Sequence, residues 1–124
     1  MPACEKHGLG ILPYFPLASG FLTGKYRPGQ PPPEGTRLAA WGPRGEQILS
    51  EENFGVLTRL EDVAEKNGHS MLELAIGWLA SHSFLPSVIA GATTPEQVQA
   101  NVKAIEWKLT PDEMREVNAI TARG

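Results

Sequence analysis

The chain has 124 residues, 41% of them hydrophobic and 20% charged, with a net charge of −3 at pH 7. That balance excludes a disordered chain and suffices for one domain with a real core. It gives no electrostatic ground for nucleic acid or an anionic membrane as partner, and no apolar stretch approaches the roughly 20 residues that span a bilayer.

The N-terminus lacks the charged-then-apolar order of a secretion signal. The single cysteine, Cys4, excludes an internal disulfide and fits a reducing, cytoplasmic setting. Residues 1–8 read as the end of a helix, with Glu5, Lys6 and His7 in the last turn before Gly8. The short apolar run from Leu9 to Leu12, with glycine before it, makes residues 9–14 a buried strand. Pro16 then turns the chain into small residues, Ala18 to Gly20, where backbone can approach a ligand closely. Residues 24–47 read as one long loop, because Pro28, Gly29, Pro31, Pro32, Pro33, Gly35, Gly42 and Pro43 oppose both helix and central strand. A loop of that length is usually functional or mobile.

Four helices with clear start signals follow, over residues 51–82 and 95–122. The first runs from about Glu51 to Lys66, with Ser50 as N-cap, an apolar stripe of Phe54, Leu57, Leu60 and Ala64, and a stop at Asn67-Gly68. Ser70 and Glu73 form a capping box for the second, whose predicted inward face is Leu72, Ala75, Ile76 and Leu79. After a turn at Leu85-Pro86, residues 87–90 read as a very short strand. Thr94, Pro95 and Gln97 start the third helix, lined by Val98, Val102 and Ile105; Thr110, Pro111 and Glu113 start the fourth, lined by Met114, Val117 and Ile120. Strand, loop, helices, strand and helices in this order are the pattern of a parallel α/β fold.

The stretch Tyr14-Phe15-Pro16-Leu17-Ala18-Ser19-Gly20-Phe21-Leu22-Thr23-Gly24-Lys25-Tyr26 resembles the penultimate strand and following loop of the aldo-keto reductases. Ile89-Ala90-Gly91-Ala92-Thr93-Thr94-Pro95-Glu96-Gln97-Val98-Gln99-Ala100-Asn101 resembles that family's last strand and cofactor-binding helix. The resemblance implies an α/β fold: residues 1–124 as a partial domain, the C-terminal segment of a TIM (β/α)8 barrel with two parallel strands and about four to five helices. It also implies a nicotinamide cofactor. Tyr14 matches the aromatic that stacks on the nicotinamide, although alone it would read as a core strand residue. Leu17, Ser19, Gly20 and Lys25 match positions along the pyrophosphate, and Arg37 falls where some members carry an arginine that closes over the nucleotide. Gly91, Thr93, Thr94, Gln97 and Asn101 match the site for the adenosine end, where a capped helix N-terminus favours an anion. Gln97 and Asn101, four apart, share one helix face. The resemblance implies NADP(H) as cofactor; many members have lysine, arginine and glutamate where this chain has Gly91, Gln97 and Ala100, and the loss of two cations weakens NADP selectivity, so NAD(H) stays open beside it.

The family reduces aldehydes or ketones by hydride transfer, with a tyrosine proton donor assisted by lysine, aspartate and usually histidine. No residue in this sequence matches those four, which belong to earlier strands, so no catalytic residue is expected here and the isolated chain is expected to lack catalysis. His7, His69 and His82 have no metal-ligand spacing and read as structural. Gly8-Leu9-Gly10 precedes a strand instead of following one, which removes it as a dinucleotide fingerprint. Besides the reductase segment, two readings stay open: a non-catalytic nucleotide-binding or interaction module, and a truncated product without independent function. A small carbonyl substrate is expected only if the rest of the barrel is supplied, and exposed strand edges are expected to favour homo-oligomers.

Overall fold

The computed structural model describes residues 2–122. Its helices are α1 (Pro2–Lys6), α2 (Arg37–Ala40), α3 (Pro43–Ile48), α4 (Glu51–Lys66), α5 (Met71–Ala80), α6 (Pro95–Ala104) and α7 (Pro111–Thr121), with a 3-10 segment over Ala18–Thr23. Local hydrogen bonds start the long helices where the sequence predicts. The Ser50, Ser70, Thr94 and Thr110 side chains each accept a backbone N–H three residues on, and Ser70–Glu73 and Thr110–Glu113 close full capping boxes. Replacing such a cap by alanine typically costs about 1 kcal/mol.

Helix α5 packs between α4 and α6, and α7 packs on α4. The core is apolar throughout: Phe54, Leu57, Leu60, Val63 and Ala64 of α4 meet Met71, Leu74 and Ala75 of α5, Leu109, and Val117 of α7. The predicted α4 stripe is buried as expected. On α5 the predicted Ala75 and Ile76 are buried, together with Met71 and Leu74, whereas the predicted Leu72 and Leu79 are only half-buried. Three polar contacts fasten the end of α5 to the α6–α7 connection and to α7. Ser81 Oγ accepts the Leu109 N–H at 2.9 Å, Lys108 Nζ donates to the Ala80 carbonyl at 3.0 Å, and Trp78 Nε1 donates to Asn118 Oδ1 at 3.0 Å.

Three expectations change. The strands predicted over 9–14 and 87–90 reduce to a single parallel bridge between Tyr14 and Ile89, supported by Ile89 N–H to the Pro13 carbonyl at 3.2 Å and Ile11 N–H to the Phe84 carbonyl at 2.8 Å. Pro13, Pro16 and Pro86 lack the N–H a ladder needs, and a two-strand pair is marginal by itself. The long loop contains α2 and α3, because Thr36 caps α2 and Pro43 sits at the first position of α3, where its missing N–H costs nothing. Finally, Val98, Val102 and Ile105 do not line the core; they are 52%, 63% and 41% exposed, and α6 buries Ala104 instead.

Two glycines test this packing. A Cβ on Gly77 of α5 would lie 2.6 Å from the Trp107 carbonyl oxygen, whereas one on Gly55 of α4 meets nothing within 4 Å. Alanine gains about 0.5–1 kcal/mol over glycine in a helix interior, but overpacking a rigid backbone contact costs about 1–3 kcal/mol. Chemical denaturation should therefore show Gly55→Ala stabilised by about 0.5–1 kcal/mol and Gly77→Ala destabilised by about 1–2 kcal/mol.

Candidate functional site

The loop after the bridge follows a left-handed course. Phe15, Ala18 and Ser19 have φ of 57°, 46° and 60°, and Gly20 has φ of 92°. Non-glycine residues there cost energy unless their surroundings hold them, so strain of this kind concentrates at binding loops. The Leu17 carbonyl accepts the N–H groups of Gly20 at 2.9 Å and Leu22 at 3.2 Å, and Thr23 Oγ1 donates to the Gly20 carbonyl at 2.7 Å. Phe21 is buried and meets Phe54 of α4 edge-on, with ring centroids 5.2 Å apart.

Two cations lie against this loop. The Arg37 guanidinium sits 5.1 Å from the Phe15 ring centroid, and that ring tilts against Tyr14 at 5.1 Å. Lys25 Nζ is 5.4 Å from the Tyr26 ring centroid, and its end crosses Gly20 so closely that a Cβ there would meet Cε and Nζ at 2.8 Å. Gly20 therefore serves both its positive φ and the passage of Lys25. Tyr14 is 73% exposed, its ring available to a ligand. Phe15, which joins Tyr14 to Arg37, was not singled out from sequence; only its place between two predicted residues could have marked it.

The second set of predicted residues is drawn together at the start of α6. Gln97 Oε1 accepts the Thr93 N–H at 2.7 Å and the Thr93 hydroxyl at 3.2 Å, Thr94 Oγ1 accepts the Gln97 N–H at 3.3 Å, and Asn101 Nδ2 donates to the Gly91 carbonyl at 3.4 Å. Gln97 thus reaches back to Thr93, not to the N-cap residue Thr94. Glu96, fully exposed in the first turn, has its carboxyl held below the usual range by its own backbone N–H and by the Thr94 side chain. That places a carboxylate where an anion would otherwise be favoured. Among the described residues, no side-chain hydrogen bond joins the Tyr14–Arg37 set to the Gly91–Asn101 set; the backbone bridge at Tyr14 and Ile89 connects them.

Tyr14 lines an apolar cavity of about 330 Å³ together with Pro13, Phe15, Leu60, Met71, Trp78 and Val117 among others. No acid or base lines it apart from the Tyr14 phenol. A larger hollow of about 750 Å³ beside Arg59 and Ile120 contains none of the predicted site residues. Among the described residues no cluster of three or more His, Cys, Asp or Glu could hold a metal, and no helix is long and apolar enough to cross a membrane.

Two of the three histidines have packing roles, whereas His7 is exposed. His69 stacks on Trp107 at 4.0 Å and lies 3.6 Å from the Glu73 carboxylate. His82 lies edge-on to Trp78 at 4.4 Å, with Nε2 buried and unpartnered. Burial pushes its imidazole below the usual histidine range, against the opposing charge of Glu5. Because the folded value is depressed, this group's stabilisation is present above its unfolded value of about 6.5 and is lost as pH falls through that value toward the folded one. Denaturation midpoints should accordingly drop between about pH 7.5 and 5.5 in wild type, and His82→Phe should flatten that drop. Glu73, held low chiefly by the Ser70 N–H, contributes at more acidic pH and leaves this window undisturbed.

The family model described as Aldo/keto reductase family matches residues 1–122. A probable voltage-gated potassium channel subunit beta from Arabidopsis thaliana is 36% identical over 107 residues, covering 86% of this chain and 33% of that protein. L-glyceraldehyde 3-phosphate reductase from Escherichia coli O157:H7 is 32% identical over 126 residues, covering 97% of this chain and 36% of the enzyme. Among solved structures, glycerol dehydrogenase from Gluconobacter oxydans superposes with a TM-score of 0.76 at 28% identity, over 96% of this chain and 36% of its own. The chain thus spans about a third of the length of these relatives. With a match running through both motifs and nearly every described residue, it belongs to the aldo/keto reductase family.

Proposed function

We propose that this chain supplies the nucleotide-binding part of an NADP(H)-dependent aldo-keto reductase, and that these 124 residues alone do not reduce carbonyls. The parallel bridge between Tyr14 and Ile89 carries this reading. Parallel pairing sends both following loops out at the same end, and ligands of α/β folds collect at the C-terminal ends of parallel strands. The residues present fit a dinucleotide. Lys25 held across Gly20 suits a pyrophosphate, the exposed Tyr14 ring offers a face for a nicotinamide, and Thr93, Thr94, Gln97 and Asn101 gather at a helix start. The cofactor would supply the hydride; the chain's own residues bind and orient it. The acid that protonates a small carbonyl substrate would come from outside these residues, in a cytoplasmic setting.

A second reading, an interaction module, is favoured by the exposed apolar residues Leu9, Leu12, Ile89, Val98 and Val102. It extends to this chain what the name of the Arabidopsis relative says of that protein, a role as a subunit. Association with a second copy through the exposed backbone around Tyr14 and Ile89 belongs to it as well.

Fluorescence titration of the purified chain with NADPH and NADH tests the first reading, with sedimentation as the companion measurement for the second. Micromolar NADPH binding is expected; a folded chain that binds neither nucleotide overturns the first reading. Glu96→Gln should tighten NADPH by about twofold to fivefold and leave NADH nearly unchanged, because the 2′-phosphate distinguishes them at a helix start. Equal effects on both would remove α6 as the site of the adenosine end.

A further inference from the structure

We infer that Tyr26 is a positioning residue, whose ring locks the left-handed turn at Ala18–Gly20 and holds the Lys25 ammonium across it. For its effect on binding, this rests on the nucleotide reading above.

Of the three successive residues with positive φ, Gly20 adopts it freely, but Ala18 and Ser19 lie in a sparsely populated region of backbone space and do not hold themselves. Hydrogen bonds inside the turn fix its shape but tie it to nothing else. Tyr26 makes the connection. It is 2% exposed and stacks on Phe21 with ring centroids 6.4 Å apart, and Phe21 in turn meets Phe54 of α4. Its Cε2 lies 3.9 Å from where a Gly20 Cβ would stand, and Lys25 Nζ lies over its face.

A surface lysine ordinarily carries about 2 kcal/mol of rotamer entropy, which a ligand must overcome to localise the charge. Here the ring on one side and the bare Gly20 backbone on the other confine the end of the chain before any anion arrives. Preorganisation of this kind raises affinity by lowering the cost of ordering. The Tyr26 hydroxyl is buried without a hydrogen-bond partner, so the ring does this positioning and the oxygen contributes nothing to it. Phenylalanine should therefore replace tyrosine without loss.

The test is a double-mutant cycle on the full chain, with NADPH as the probe. Tyr26→Leu should weaken NADPH about tenfold in the Lys25 background and less than twofold in a Lys25→Met background, because Tyr26 acts through Lys25. Tyr26→Phe should bind within about twofold of wild type. Amide hydrogen exchange over residues 18–25 should quicken in Tyr26→Leu, stay unchanged in Tyr26→Phe, and leave Glu51–Lys66 as slow as in wild type. Equal NADPH losses in both lysine backgrounds, or a Phe variant as impaired as the Leu variant, would overturn the inference. If wild type binds no NADPH, the nucleotide reading falls and the exchange pattern alone decides: unchanged exchange over residues 18–25 in Tyr26→Leu overturns Tyr26 as the anchor.

Discussion

The edge-on contact of Phe21 with Phe54 is the joint on which the rest of the structure turns. On one side stands a helical core in which, among the described residues, no charged or polar residue is buried; on the other, a loop that takes positive φ at Phe15, Ala18, Ser19 and Gly20. Aromatic pairs of this geometry contribute about 0.5–1.5 kcal/mol beyond simple burial. The strain opposing them is of similar size per residue. Neither side has a wide margin, so the loop needs Leu17, Ala18 and Leu22 packed on the core as well. Under the proposed reading, function would enter through this balance: Tyr14 and Lys25 flank the strained residues Phe15, Ala18 and Ser19, and the geometry between them is only as firm as the aromatic wedge of Phe21 on Phe54.

Apolar surface is distributed unevenly around that joint. The α4–α5–α7 side buries its apolar residues, while Leu9, Leu12, Tyr14, Phe15 and Ile89 are exposed near the parallel bridge, and α6 turns Val98, Val102 and Ile105 outward. Isolated exposed apolar side chains are ordinary, but a contiguous set marks a surface for association. The parallel bridge of Tyr14 with Ile89 lies among these apolar residues, and backbone at the edge of such a pair can pair with further strands. This is why the binding and interaction readings are compatible: one surface contains both the ring offered to a nucleotide and the apolar residues that favour a macromolecular neighbour.

What could be read from the sequence was whatever is decided within a few residues. Ser50, Ser70, Thr94 and Thr110 each start a helix through a bond to the residue three positions on, and Asn67-Gly68 ends α4 where expected. Periodicity gave the α4 stripe correctly because the helix is long enough to average out error. On α5, ten residues of mostly apolar sequence leave the phase open: Ala75 and Ile76 are buried as predicted, but Met71 and Leu74 take the places expected of Leu72 and Leu79. The exposure of Val98 and Val102 depends on what lies opposite α6, which no local pattern records. Pro43 misled because proline was weighed as a breaker, when at the first position of α3 it is a starter. Among the site residues, the contacts of Gln97 and Asn101 follow from their shared face, whereas the stacking of Arg37 on Phe15 required folded coordinates.

Charge is divided between the two motifs in a way that bears on how a nucleotide would be held. Residues 14–44 contain Lys25, Arg27, Arg37 and Arg44 against one carboxylate, Glu34, whereas residues 91–101 contain no lysine or arginine and carry Glu96. Attraction for phosphate is therefore concentrated on the first loop, where Lys25 and Arg37 rest on aromatic rings that leave their charge unneutralised. The α6 end has hydroxyls, amides and a helix start already shared with a carboxylate. If the α6 end held an adenosine as proposed, recognition there would depend on hydrogen-bond geometry, which would orient the base but discriminate weakly in favour of an extra phosphate. A dinucleotide would thus be drawn in by its pyrophosphate and aligned by its adenine end, and cofactor preference would follow from how far Glu96 yields the helix start to the 2′-phosphate.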